Sequence, residues 1–220
     1  MKALLRWLGL VLLALVGLQL FFVLRIGAMT VFNPQSTAFE RSEAWRLANE
    51  KGNLRWRQQW RAYPDMSNHL KRAVIASEDD GFVGHEGIDW NALEKAWKKN
   101  ARVEAQMSRK ASSDSAKGKP AATRAPKVVG GSTITQQLAK NLFLSGERTL
   151  LRKGQEMLLT LALEALLSKQ RILEIYLNSV EWGEGVFGAE AAARHYYRKS
   201  AARLSAYEAA RLSVMLPRPK

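Results

Sequence analysis

Three carboxylates, Glu78, Asp79 and Asp80, stand in a row just before Gly81, at the end of a mostly apolar stretch. Acids at a helix C-terminus work against the helix dipole, so the position is an unfavourable one for a cluster. Two readings are open: a solvated acidic turn, or a general base held ionised inside a cationic cleft. Phe82, His85, Gly87 and Asp89 follow within the same turn-rich segment of an otherwise strongly basic chain. That setting favours the base.

The run GGSTITQQLAKN supplies hydrogen-bond donors in quantity. Gly130 and Gly131 permit a tight backbone, and Ser132, Thr133 and Thr135 bring hydroxyls to a helix start. Gln136, Gln137, Lys140 and Asn141 then add amides and an ammonium on the following turns. Gln137 shares a helical face with Lys140 or Asn141, by the spacing of three and four residues. Such a set recognises phosphate or sugar oxygens; an N-capped helix with a merely polar face is the alternative. The spacing is not that of a P-loop.

A third cluster is Arg148, Arg152, Lys153 and Glu156. Arg152 and Glu156 are four apart, which fits either a surface ion pair worth ~0.3–0.5 kcal/mol or the charged mouth of a site. Leu158, Leu159, Leu161, Ala162, Leu163, Leu166 and Leu167 follow, so the helix is expected to be largely buried. His69, His85 and His195 have no metal-ligand spacing and read as structural. GEGVFG lacks the preceding strand that a dinucleotide fingerprint requires.

Helices must position these groups. Apolar spacing predicts them near 67–81, over 89–100 with Asp89 as N-cap, from about Ile134, over 150–167, over 171–180, after Gly188 and over 205–216. Residues 102–129 are rich in Ala, Ser, Lys and Pro and read as a mobile basic loop. No sustained β alternation occurs, and the fold class is mainly α.

Charge narrows the partners. Thirty-four Lys and Arg against 20 Asp and Glu leave +14, which calls for an anionic partner: nucleic acid, a lipid surface or a phosphorylated substrate. The absence of cysteine excludes a disulfide framework and a thiolate nucleophile. From Trp7 to Leu24 the chain is uncharged, with Gln19 its one strongly polar side chain. Eighteen helical residues span ~27 Å, enough for a bilayer core. Residues 1–29 are therefore expected to be an uncleaved membrane anchor (helix about 7–24) rather than a signal peptide. Lys2 and Arg6 favour a cytoplasmic N-terminus, which sets the rest outside, away from nucleic acid. Residues 30–66, with Trp and Arg interleaved, read as a juxtamembrane segment at the headgroups, ahead of a catalytic domain over 67–220.

Together the motifs resemble glycosyltransferase family 51, the peptidoglycan glycosyltransferases. SEDDGFVGHEGID (77–89) is similar to the family's first motif and GGSTITQQLAKNLFLS (130–145) to its second, nearly letter for letter. RKGQEMLLTLALEALLSKQRILEIYLN (152–178) resembles the third, and residues 183–217 resemble the last two. The resemblance implies a lysozyme-like, mainly helical domain with a membrane-contacting lobe, at the bacterial inner membrane with its catalytic part periplasmic. It implies lipid II and the growing glycan as substrates, membrane lipids as surroundings, and other wall-synthesis and division proteins as partners. Glu78 then corresponds to the general base, and Glu156 to the second acidic residue. Lys140 and Arg148 would hold the donor diphosphate, with Gln137, Asn141, Arg152 and Lys153 nearby. Ser132, Thr133 and Gln136 complete the substrate-binding set, and Asp79, Phe82, His85, Gly87 and Asp89 support it. A divalent cation (Mg or Mn) assists some members, but the sequence itself shows no site. Neither S-x-x-K nor K-T-G, the transpeptidase signatures, occurs in the chain, so polymerisation without cross-linking is expected. A muramidase-like hydrolase, a non-catalytic membrane-tethered module and, last, a nucleic-acid binder are the rival readings.

Overall fold

The computed structural model describes residues 1–52, 56–116, 131–147 and 149–216. Helix α1 covers Lys2–Ala28, four to five residues longer at each end than the uncharged run. It is long and apolar enough to cross a membrane, at about 40 Å for its 27 residues. Most of its apolar side chains point outwards, but Ile26 and the following Met29 are buried against the rest of the chain.

Helix α2 (Ala38–Lys51) starts at a capping box in which Thr37 and Glu40 satisfy each other's backbone N–H groups. Leu47, Glu40 and Glu43 are buried, and α2 packs on α5 (Ile134–Phe143). The segment expected to lie along the headgroups thus contributes a helix to the folded body. It also contributes β1 (Arg57–Gln58), which pairs parallel with β3 (Val186–Phe187), itself antiparallel to β2 (Glu181–Gly183). Strands this short carry no readable alternation, so periodicity had nothing to detect.

Helices α3 (Asn68–Glu78), α6 (Leu150–Leu166), α7 (Lys169–Ser179), α8 (Ala189–Tyr197) and α9 (Ala206–Ser213) complete the body. Their starts follow the hydroxyl residues: Ser67, Thr149, Ser168 and Ser205 each accept a bond from a first-turn N–H. Helix α4 runs from Trp90 to Ala116, so residues 102–116 are helical where a loop was expected. Ala, Glu, Gln, Met, Arg and Lys in that stretch are good helix formers, and low hydrophobicity alone does not break a helix. The remainder of the expected loop lies outside the described residues.

The core centres on α5. Ile134, Leu138 and Leu142 recur every four residues, fully buried beside Leu159, Leu163, Ile172, Tyr176 and Trp182. Helix α5 packs on α2, α6 and α7, while α3 packs on α9. Helix α6 differs from expectation. Glu156, Leu159, Thr160 and Leu163 face the core, but Leu150, Leu151, Leu158 and Leu161 are exposed. Its outer face carries exposed leucines beside α1, which it touches.

Candidate active site

Glu78 is the last residue of α3. Its Oε2 accepts a hydrogen bond from Gln137 Nε2 at 2.9 Å, and Gln137 Oε1 accepts one from the Tyr176 hydroxyl at 3.0 Å. Its Oε1 is buried without a hydrogen-bond partner among the described residues. Burial raises its pKa, the Gln137 bond partly counters this, and the neighbouring Asp79 charge adds to the rise. A carboxylate with a raised pKa and an unshared oxygen is a better proton acceptor than a solvated one.

Asp79 clamps two segments together. Its Oδ2 accepts from the Ile134 N–H at 2.9 Å, the first residue of α5, and its Oδ1 lies 2.8 Å from His85 Nε2. His85 Nδ1 accepts the Gly87 N–H, so the ring's proton sits on Nε2 and points at Asp79. The Thr133 hydroxyl donates to Gly87 O at 2.6 Å, a second tie between the same segments. Gly87 has φ +84, and an added Cβ would meet Thr160 Cγ2 at 2.7 Å and Glu164 Cγ at 2.8 Å. Only glycine fits. Lys169 closes the network, donating to His85 O and Glu164 Oε1 while lying over the Phe82 ring.

Two clefts flank this frame and share Ser132. One, of about 440 Å³, is lined by Glu78, Asp79, Asp80, Asp89, Asn91 and Lys95, among others. The other, of about 380 Å³, is lined by Gln137, Lys140, Asn141, Arg152, Lys153 and Glu156, among others. Helix α5 therefore turns Leu138 and Leu142 inwards and Gln137, Lys140 and Asn141 to the cleft, as their spacing requires. Glu156 is buried and its two oxygens are each ion-paired, to Arg152 Nη1 at 2.8 Å and to Lys153 Nζ. Both cations are thereby fixed at the cleft wall. Chemically, one cleft holds a carboxylate with an open oxygen and its neighbour a set of cations able to seat an anion. Gln137 lines the second and donates to Glu78 of the first.

Residues 46–113 and 116–220 match the family model described as Transglycosylase. The chain belongs to the transglycosylase family. The biosynthetic peptidoglycan transglycosylase of Herminiimonas arsenicoxydans is 54% identical over the whole chain, which covers 87% of that protein. Those of Janthinobacterium sp. (strain Marseille) and Burkholderia thailandensis are 51% and 52% identical, over 100% and 92% of the chain and 87% and 71% of their own lengths.

In this transglycosylase-family chain, the residues expected from sequence fall into distinct places. Glu78, Asp79 and Asp89 line one cleft with Thr133, and Lys140, Asn141, Gln136, Gln137, Arg152, Lys153 and Glu156 line the other. Gln136 is partly committed to the α5 capping box, as Asp89 is to the start of α4. Phe82 is core packing, and His85 and Gly87 act on Asp79 rather than on the clefts. Arg148 lies outside the described residues. Sequence reading missed Phe39 and Ser42 of α2, which line the cationic cleft. The Thr37-x-x-Glu40 spacing was the signal for that helix. It also missed Tyr176, which apolar periodicity hides among core residues.

The donor set of the cationic cleft does not fit a protein-held divalent cation. Both Glu156 oxygens are taken by cations, and among the described residues no group of three or more His, Asp and Glu side chains is arranged to hold a metal ion.

Proposed function

We propose that this chain polymerises lipid II at the outer face of the bacterial inner membrane. Glu78 Oε1 removes the proton from the 4-hydroxyl of an acceptor GlcNAc. That oxygen attacks C1 of the donor MurNAc from the face opposite the leaving group. The bond from C1 to the diphosphate breaks, the anomeric centre inverts and undecaprenyl diphosphate departs. Lys140, Arg152 and Lys153 stabilise the charge that collects on the diphosphate. Glu156 acts by holding Arg152 and Lys153 in place. The unshared, buried Oε1 of Glu78, beside a cleft of fixed cations, is the observation that carries this reading.

Helix α1 is the anchor in this reading, with Lys2 and Arg6 on the cytoplasmic side. The relatives' names support the substrate, since peptidoglycan strands are made from a lipid-linked disaccharide. Cross-linking of peptides is assigned no residues here. The test is to incubate the detergent-solubilised full chain with fluorescent lipid II and separate the products on a gel. A ladder of glycan polymers is expected. Shortening of preformed glycan with lipid II left intact would replace the polymerase with a hydrolase.

A further inference from the structure

Glu78 has two oxygens in different surroundings, and that difference has a cause one residue further back. Tyr176, on α7, is 1% exposed. Its hydroxyl is 3.0 Å from Gln137 Oε1, and Gln137 Nε2 is 2.9 Å from Glu78 Oε2. A primary amide presents an acceptor at one end and donors at the other, and swapping them costs only a rotation about the last side-chain bond. Nothing within Gln137 decides which end meets the carboxylate.

We propose, on the reading of Glu78 as the base, that Tyr176 is a positioning residue that fixes the direction of the Gln137 amide and so selects Glu78 Oε1 as the proton acceptor. The tyrosine hydroxyl, buried in the core, has its proton directed at Gln137. The phenol oxygen could accept from the NH₂ group instead, but its proton would then have no acceptor among the described residues, so the amide oxygen faces it and the NH₂ group faces Glu78. An NH₂ group can only donate, so Oε2 is held as an acceptor and rejects a proton. The incoming proton is left to Oε1, the oxygen without a partner. The reverse amide would present its oxygen to Glu78, and only a protonated carboxyl answers that with a hydrogen bond. Flipping the amide therefore favours the form of Glu78 that cannot act as a base.

The tyrosine is suited to this because it does not ionise: burial, then the charges of Glu78 and Asp79, push its pKa well above the ordinary phenol value. It stays a donor throughout the working range. The other titratable groups round Glu78 are Asp79 and Asp80 beside it and Asp89 and Lys95 across the cleft. Asp79 is already held by His85 and the Ile134 N–H, so none of these substitutes for the amide.

Tyr176→Phe removes one oxygen and keeps the ring in the core. With full-length protein and lipid II, kcat is expected to fall about 5- to 10-fold, the yield of one lost hydrogen bond, with KM unchanged. The acidic limb of the pH–rate profile should move upwards by up to about one unit. In a Gln137→Ala background the same substitution should have no further effect, because Tyr176 acts only through that amide. A merely structural tyrosine would lower the amplitude without moving the limb, and its effect would multiply with that of Gln137→Ala. Either result overturns the proposal. Should Tyr176→Phe fail to fold, Gln137→Ala alone must shift the limb upwards, and an unmoved limb overturns it equally. An inactive Glu78→Gln protein beside an unmoved Tyr176→Phe profile removes only the role of Tyr176. An active Glu78→Gln protein removes the base as well.

Discussion

Gln19 of α1 and Gln155 of α6 exchange hydrogen bonds amide to amide, at 2.8 and 3.2 Å. The one strongly polar side chain of the uncharged run from Trp7 to Leu24 thus meets the helix that carries Arg152, Lys153 and Glu156, one residue from Glu156. Phe22 packs edge-on against Phe143 of α5, and Arg25 lies over the same ring. Arg171 of α7 binds the carbonyls of Met29 and Phe32 just past the end of α1. Helix α1 is docked on the rest of the chain, which fixes the cationic cleft relative to it.

Gln19→Leu should therefore destabilise the full chain modestly. It strands Gln155, and hydrogen bonds between membrane helices average ~0.6 kcal/mol with a maximum near ~1.7. For a chain of this size that is a fall in Tm of roughly 1–6 °C in detergent. The double variant with Gln155→Leu should recover most of it, since replacing both partners leaves no unsatisfied amide.

Glu156→Gln should weaken the cationic seat rather than the chemistry at Glu78. The carboxylate fixes Arg152 and Lys153; an amide releases them to solvent and to other rotamers. The expected result is a rise in KM for lipid II with a comparable loss in kcat, about tenfold or more in kcat/KM, since the two cations hold the diphosphate and stabilise the charge it gains. Direct participation in the proton transfer would instead lower kcat alone.

Glu190 is predicted to control acid stability. It is fully buried on α8 and accepts from Arg61, Arg194, the Ser200 hydroxyl and the Ala201 N–H. Burial raises its pKa, but these bonds outweigh burial and hold it below the usual carboxylate value of 4.5. A depressed folded pKa gives stability that is present above the unfolded pKa and lost as pH falls through the folded one. Thermal melting should decline below about pH 4.5, and Glu190→Ala should cost about 3–5 kcal/mol at neutral pH and flatten that decline.

The catalytic helices were legible because their signals are local. The Thr133 cap, the four-residue recurrence of Ile134, Leu138 and Leu142, and the Arg152–Glu156 spacing lie within one or two turns of chain. What could not be read depends on residues far apart. Gln137 meets Tyr176 across 39 positions, and the two-residue strands β1 and β3 pair across more than 120. The leucines of α6 misled because apolar content does not say whether a side chain faces a protein core or lies beside an apolar anchor. The length of α4 was missed because low hydrophobicity was allowed to outweigh helix propensity.

The role of Glu78 is tested most directly by Glu78→Gln, assayed for lipid II polymerisation alongside thermal melting. Burial raises its pKa, and a carboxylate whose folded pKa lies above its unfolded value withdraws stability as pH rises through that interval. Removing the charge should therefore leave Tm at neutral pH equal to or above that of the unsubstituted chain. Loss of a positioned base should lower the polymerisation rate by about 10²- to 10⁴-fold. A folded Glu78→Gln protein that polymerises lipid II at the original rate contradicts the account.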